Sequence, residues 1–290
     1  MTLAGEGIDA CGKTDIGKSR SINEDQFLIA SLMKLVQVEQ TSLPALRTQF
    51  TSPAGAALLM VADGVGGQQA GEKASETALD TVARYVAQAL RCFYTVDESV
   101  EERFIAELRQ AVMRTHEAVC RDASEHPDRE GMATTLTLVK VVNRRAYVVQ
   151  VGDSRCYLQR GNELTQITRD QTLAQDLVDQ GVMSEATAEH SPFSHVLSSA
   201  IGGTAYPEVT TLDLRTGDQL LLCTDGLNKH VSDDQIGTQL ASTDTAHQAC
   251  ERLVQLALDG GGSDNVTVVV ARFGDQPTTD QAAGGKGEPS

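Results

Sequence analysis

Apolar positions along this chain follow two periods. The stretch LLMVADGVGG, Leu58 to Gly67, opens with a continuous apolar run suited to a buried strand and stops at Asp63-Gly64. Asp-Gly after a strand ordinarily signals a two-residue hairpin. The next segment, QQAGEKASETALDTVARYVAQAL, instead sets Ala78, Val82, Tyr85, Val86 and Ala89 at helical spacing, so strand, turn and helix are predicted. A second amphipathic pattern, ESVEERFIAELRQAVMRTHEAVCRD, puts Val100, Phe104, Leu108, Ala111, Val112, Thr115 and Val119 on one face. Two long helices are therefore predicted over about residues 71–123, broken near FYTVDES and lying on a sheet.

After HPDREG the chain turns to short β-rich runs, ATTLTLVKVV, RRAYVVQVGDS and RCYLQRGNELTQIT, with turns at NRR and RGN that favour antiparallel pairing. A strand is expected around Phe27 to Ala30, and residues 31–55, with two prolines, make an excursion between strands. Residues 169–200 are a mixed polar-helical segment; EVTTLDL, DQLLLCTDG and NVTVVVARF are strands, and 245–258 is a helix. Helices kept apart from runs of antiparallel strands define an α+β fold. One domain over 8–274 is expected, with 275–290, rich in Gly, Pro and polar residues, as a disordered tail.

Composition narrows the function. A net charge of −16, with no run among the 24 Lys and Arg, excludes nucleic acid as an expected partner. MTLAGEGIDACGKTD has no signal-peptide pattern, and no window reaches the ~18 apolar residues of a membrane span. A soluble, cytoplasmic monomer with no membrane partner is expected. Cys11, Cys92, Cys120, Cys156, Cys223 and Cys250 form no C-x-x-C pair and read as small buried hydrophobes, against zinc or a disulfide framework.

Acidic residues recur where strands begin or end. Besides Asp63 there are Asp225 in LLLCTDG, Glu24 and Asp25 in INEDQF, Asp153 in VGDSR and Asp264 in GGSDNVTVVV. Ionised carboxylates brought together repel, and protons, basic partners or metal ions must neutralise them. Oxygen-only ligation suits Mg²⁺ or Mn²⁺. The six histidines show no H-x-H or H-E-x-x-H spacing. Arg20, five residues before Asp25, could grip a phosphate with a bidentate fork. Singly, each motif has a plainer reading: an Asp-Gly is a turn, Asp153 closes a hairpin between AYVVQV and RCYLQR, Arg20 lies on the surface, and Glu24 and Asp25 sit in a solvated loop.

In order, GKSRSINEDQF, VADGVGGQQAGEKAS, GMATTLTLVKV, YVVQVGDSRCYLQRGNELTQITRD, LLLCTDGL and GGSDNVTVVVARF resemble the metal-dependent protein phosphatases of the type 2C (PPM) family, in their bacterial serine/threonine form. The resemblance implies a four-layer αββα sandwich, two central antiparallel sheets flanked by helix pairs, with metal ions in a cleft between the sheets. It implies two core Mn²⁺ or Mg²⁺ ions bridged by Asp63, one also held by the Gly64 carbonyl and Glu24, the other by Asp225 and Asp264. Asp25 would orient the attacking water, Asp153 with Asp225 would hold a third ion, and Arg20 would bind the substrate phosphate. The implied reaction is direct attack of metal-activated hydroxide on phosphoserine or phosphothreonine in proteins, opposing a bacterial Ser/Thr kinase.

This chain departs from the family at Val65, where eukaryotic relatives have a histidine, and at Gln171, where bacterial relatives commonly have one. LVDQGVMSEATAEHSPFSHVLSSAIGG resembles the family's flap beside the cleft, and the excursion at 31–55 reads as decoration. A haloacid-dehalogenase-like phosphatase would need a second aspartate where Val65 stands. A non-catalytic phosphoprotein-binding module on the same fold would be expected to have lost carboxylates or the arginine, and all are kept.

Overall fold

The computed structural model describes residues 2–3, 7–32, 35–37, 49–51, 56–66, 69–89, 98–188 and 190–275. One sheet, in spatial order, comprises β12 (Glu208–Asp213), β9 (Arg145–Val151), β8 (Leu136–Val142), β6 (Ala56–Val65) and β3 (Asp25–Leu32), with β7 (Ala133–Thr134) on the end of β6. The other comprises β1 (Thr2–Leu3), β2 (Ile8–Asp15), β14 (Val266–Phe273), β13 (Gln219–Cys223), β10 (Arg155–Arg160) and β11 (Glu163–Gln166). Every pairing in both sheets is antiparallel.

The unbroken apolar run of β6 has a two-sided explanation. Leu58, Met60 and Ala62 face the helices α1 (Gln69–Ala89) and α2 (Glu98–Glu125). Ala57, Leu59 and Val61 face the second sheet. Both faces are covered, so the strand shows no alternation of polar and apolar residues although its side chains alternate in direction. β14 repeats this: Val266, Val268 and Val270 pack under α7 (Ala246–Asp259), while Val269, Ala271 and Phe273 join the layer between the sheets. Helices outside, sheets inside and three apolar layers between them make the expected four-layer sandwich.

The long helices use the predicted faces: Ala78, Val82 and Val86 of α1, and Leu108, Ala111, Val112, Thr115 and Val119 of α2, are buried. The helix start at 245 is also as predicted, with the Thr245 hydroxyl accepting from Gln248 N. Between β8 and β9, Asn143 and Arg144 both adopt positive φ (50° and 65°), as a tight twisted hairpin turn needs. Residues 169–200 include α3 (Leu173–Asp179) and α4 (Glu185–Ala188).

One local reading changes. β9 and β10 follow one another but belong to different sheets, so Gly152-Asp153-Ser154 is a crossover between layers and Asp153 does not close a hairpin. Residues after Asp225 form α5 (Asp225–Asn228) and α6 (Asp233–Ser242), and the start of α6 was legible in SDDQ: Ser232 and Gln235 make a reciprocal capping box. In the excursion, β3 runs to Leu32 and β4 (Leu35–Gln37) pairs with β5 (Gln49–Thr51). The rest of the excursion, the break at 90–97 and the tail from 276 lie outside the described residues.

Leu59 is fully buried between the two sheets. Leu59→Ala is expected to lower the unfolding free energy by about 2–5 kcal/mol with an unchanged denaturant slope, measured by urea titration. A loss within error of zero would mean that the sheets do not pack through this layer.

Candidate metal centre

All eight sequence-predicted positions, Gly64 among them, gather at one end of the inter-sheet cleft. Asp25, the first residue of β3, is the direct cross-strand partner of Asp63 on β6. Asp225 begins α5 beyond the end of β13, Asp264 lies two residues before β14, and Asp153 sits in the β9–β10 crossover. Asp63 feels the charges of Asp25, Asp225, Asp153 and Asp264 together, and Arg20 those of Asp264, Glu24 and Asp63.

The two Asp-Gly glycines have a steric reason. A Cβ on Gly64 would stand 2.2 Å from the Gly71 carbonyl oxygen and 2.8 Å from that of Glu24. A Cβ on Gly226 would stand 1.8 Å from the Asn265 carbonyl oxygen. Each glycine thus lets the segment bearing its aspartate close against the loop bearing another acid.

Polar neighbours fix the acids in place. The Thr224 hydroxyl donates to Asp25 Oδ2 (2.8 Å) and accepts from Thr267 N (3.0 Å). The Thr135 hydroxyl accepts from Asp63 N (3.0 Å) and lies 2.6 Å from that of Ser154. Asn265 Nδ2 donates to the Ile16 and Ile22 carbonyls (2.9 and 3.0 Å), while its Oδ1 accepts from Glu24 N (2.9 Å), so one side chain binds the Arg20–Glu24 loop to the Asp264 loop. Gln171 Oε1 accepts from Gly152 N (2.8 Å) and its Nε2 donates to the Tyr206 carbonyl (3.0 Å), joining the crossover to the stretch just after the flap-like segment.

Burial dominates the electrostatics. It pushes Asp25 up to about 7 against the restraint of its Thr224 and Thr267 hydrogen bonds, with Asp225 and Asp264 adding repulsion. Asp153 is likewise pushed to about 7, by burial first and then by Asp225 and Asp170. Asp63 lies well above the ordinary carboxylate range, through burial and then its four acidic neighbours, and burial also raises Glu24. Asp264 goes the other way: burial would raise it, but hydrogen bonds from Arg20 and Lys229 hold it below.

The residues present fit hard divalent cations. Buried Glu24 Oε1, Asp25 Oδ1 and Asp225 Oδ1 have no hydrogen-bond partner, and the donor set is all oxygen. Among the described residues no three carboxylates already converge as a cage, and two side-chain cations lie on the acids of one side. Arg20 Nε and Nη2 donate to Asp264 Oδ1 and Oδ2 (2.7 and 2.9 Å), so the guanidinium expected on phosphate lies on Asp264. Lys229 Nζ lies 2.6 Å from Asp225 Oδ2 and 2.7 Å from Asp264 Oδ2.

A family model described as protein phosphatase 2C matches residues 46–264. The chain belongs to the protein phosphatase 2C family. Within it, the chain is 42% identical over 219 residues to the serine/threonine protein phosphatase PstP of Mycobacterium tuberculosis, a match covering 75% of this chain and 40% of that relative's length. Protein phosphatase PhpP of Streptococcus pneumoniae is 30% identical over 265 residues, 91% of this chain and 96% of PhpP. The solved catalytic domain of PstP with two manganese ions superposes with a TM-score of 0.72 at 34% identity, covering 92% of this chain and 99% of that one. The 2C match begins at residue 46 and leaves out Arg20, Glu24 and Asp25, which the β3–β6 pairing returns to the cleft.

Sequence reading missed Asn265, Thr224, Thr135 and Lys229. The first two adjoin acids that it had singled out, and Lys229 stands at i+4 from Asp225, a spacing that pairs charges on a helix.

In chelator-treated protein the raised carboxyls of Asp25 and Asp153 bind more protons folded than unfolded between about pH 3.8 and 7. Their contribution to stability is complete below that window and is lost as pH rises through 7. The melting temperature of the ion-free protein is expected to fall between pH 5 and 8, and less steeply in Asp25→Asn. A melting temperature that rises over this range would show that neither carboxyl takes up its proton on folding.

Proposed function

We propose that this chain is a metal-dependent protein serine/threonine phosphatase whose catalytic domain spans residues 8–274. The observation that carries the reading is the cross-strand pair of buried Asp25 and half-buried Asp63, beside carboxylate oxygens without partners and a guanidinium. Like charges directly opposed in a sheet weaken it, and a divalent cation is the counter-charge these oxygens suit.

Asp63, the Gly64 carbonyl and Glu24 would hold one core Mn²⁺ or Mg²⁺, Asp63, Asp225 and Asp264 the other, and Asp153 with Asp225 a third. The relative solved with two manganese ions supports the core pair. When bound, such ions acidify water and stabilise the charge of a phosphoryl group in flight. Asp25, its Oδ2 fixed by Thr224, offers buried Oδ1 as the acceptor that orients the attacking water. Arg20 grips the phosphoryl oxygens and holds the phosphorus in line. Val65 is exposed and cannot protonate the leaving group.

The substrates are phosphoserine and phosphothreonine on proteins, the products of a Ser/Thr kinase, as the names of the relatives support. A cytoplasmic monomer is part of the same proposal; no helix among the described residues is long and apolar enough to cross a membrane.

Purified protein is expected to hydrolyse p-nitrophenyl phosphate and a phosphothreonine peptide only with Mn²⁺ or Mg²⁺, and Asp63→Asn to lower kcat by at least about a hundredfold. No turnover by folded protein with either ion would overturn the enzyme and leave a phosphoprotein-binding module. Thr224→Val, which takes the hydrogen bond from Asp25, is expected to reduce kcat/KM about 10–100-fold with the fold intact by circular dichroism. Unchanged kinetics would remove Asp25 from the mechanism.

A further inference from the structure

Lys229 has no place in the roles assigned above, yet its ammonium is the most constrained cation in the cleft. It caps the C-terminus of α5, where its backbone N–H donates to the Asp225 carbonyl. From that anchor the side chain folds back one turn, and Nζ reaches Asp225 Oδ2 at 2.6 Å and Asp264 Oδ2 at 2.7 Å. Its side chain is 21% exposed, which leaves little solvent to replace those carboxylates.

The oxygen inventory gives the contact a consequence. Asp264 Oδ1 accepts from Arg20 Nε and Asn265 N, and its Oδ2 from Arg20 Nη2 and Lys229 Nζ. Both oxygens are therefore engaged. Asp225 keeps one buried oxygen, Oδ1, without a partner, while Oδ2 belongs to Lys229. A divalent ion that takes both carboxylates as ligands must displace the ammonium or tolerate a unit positive charge a few ångströms away.

We propose that Lys229 is a built-in counter-cation that sets the affinity of the ion position shared by Asp225 and Asp264. It holds the two carboxylates together before an ion arrives, and its four-carbon stem lets the ammonium withdraw when one enters. The net event is an exchange of one cation for another between the same two carboxylates. Ion loading at this position is weakened by the charge it expels, so its occupancy follows the free ion concentration, whereas at Glu24 and Asp63 no cation among the described residues makes a hydrogen bond and only the Arg20 charge acts from a distance. This rests on the metal-centre reading above and adds to it a residue that tunes one ion position.

The test is a calorimetric titration of Mn²⁺ into the full chain, comparing wild type with Lys229→Met, which keeps the length of the side chain, and Lys229→Arg, which keeps its charge. Lys229→Met is expected to tighten the weaker Mn²⁺ site at least about tenfold, from the removed Coulomb repulsion. It should also lower the melting temperature of the ion-free protein, and Lys229→Arg should leave the Mn²⁺ affinity near that of wild type. Mn²⁺ bound by Lys229→Met with equal or lower affinity than wild type would overturn the counter-cation while leaving the metal centre standing. Folded wild type that takes up no Mn²⁺ would overturn the metal centre itself. If Lys229→Met folds only with Mn²⁺ present, its release of Mn²⁺ to a chelator should be slower than that of wild type, and equal or faster release would reject the proposal.

Discussion

Two carboxylates, Asp25 and Asp63, stand opposite each other across an antiparallel strand pair at the rim of a buried layer. Left to electrostatics alone they would separate, protonate or pull the strands out of register. The sandwich permits none of these readily. Eight consecutive residue pairs fix β3 on β6, from Asp25 opposite Asp63 to Leu32 opposite Ala56. A slip by one residue would turn Leu59 and Val61 from the inter-sheet core to the helix side. Apolar burial along the strand thus holds the repulsion in place at its end.

The remaining acids arrive by separate routes: a strand end, a crossover, the first turn of a short helix and the loop before β14. What joins these routes is polar and local. Asn265 ties three backbone groups, Thr224 bridges Asp25 and β14, and Thr135 holds Asp63 while touching Ser154 of the crossover. Such uncharged supports keep ligands in register without neutralising them, so charge is left for a counter-ion to balance. Arg20 and Lys229 meet that demand on one side of the centre, at Asp264 and Asp225. On the other, around Glu24, Asp25 and Asp63, raised carboxyls and orphaned oxygens carry it.

Much of this was legible in one dimension. Helical periodicity located α1, α2 and α7, and continuous apolar runs located β6 and β14, because burial of a helix face or of a two-faced strand constrains composition directly. The acids announced themselves by ending those runs. SDDQ carried a helix start that went unread, although Ser232 and Gln235 stand at the spacing of a capping box. The crossover at Asp153 could not be separated from a hairpin, because a short link between two strands has the same composition whether they pair in one sheet or part into two.

The sequence by itself determined which segments are buried, which are helical and which oxygen-bearing residues interrupt them, since these depend on neighbours a few positions away. The tertiary structure alone decided that Asp25 faces Asp63, that Asn265 spans two loops and that Arg20 and Lys229 close on Asp264. Those contacts join residues from 35 to 249 positions apart. At such separations the partner is chosen by strand register and sheet packing, and no local propensity records that choice.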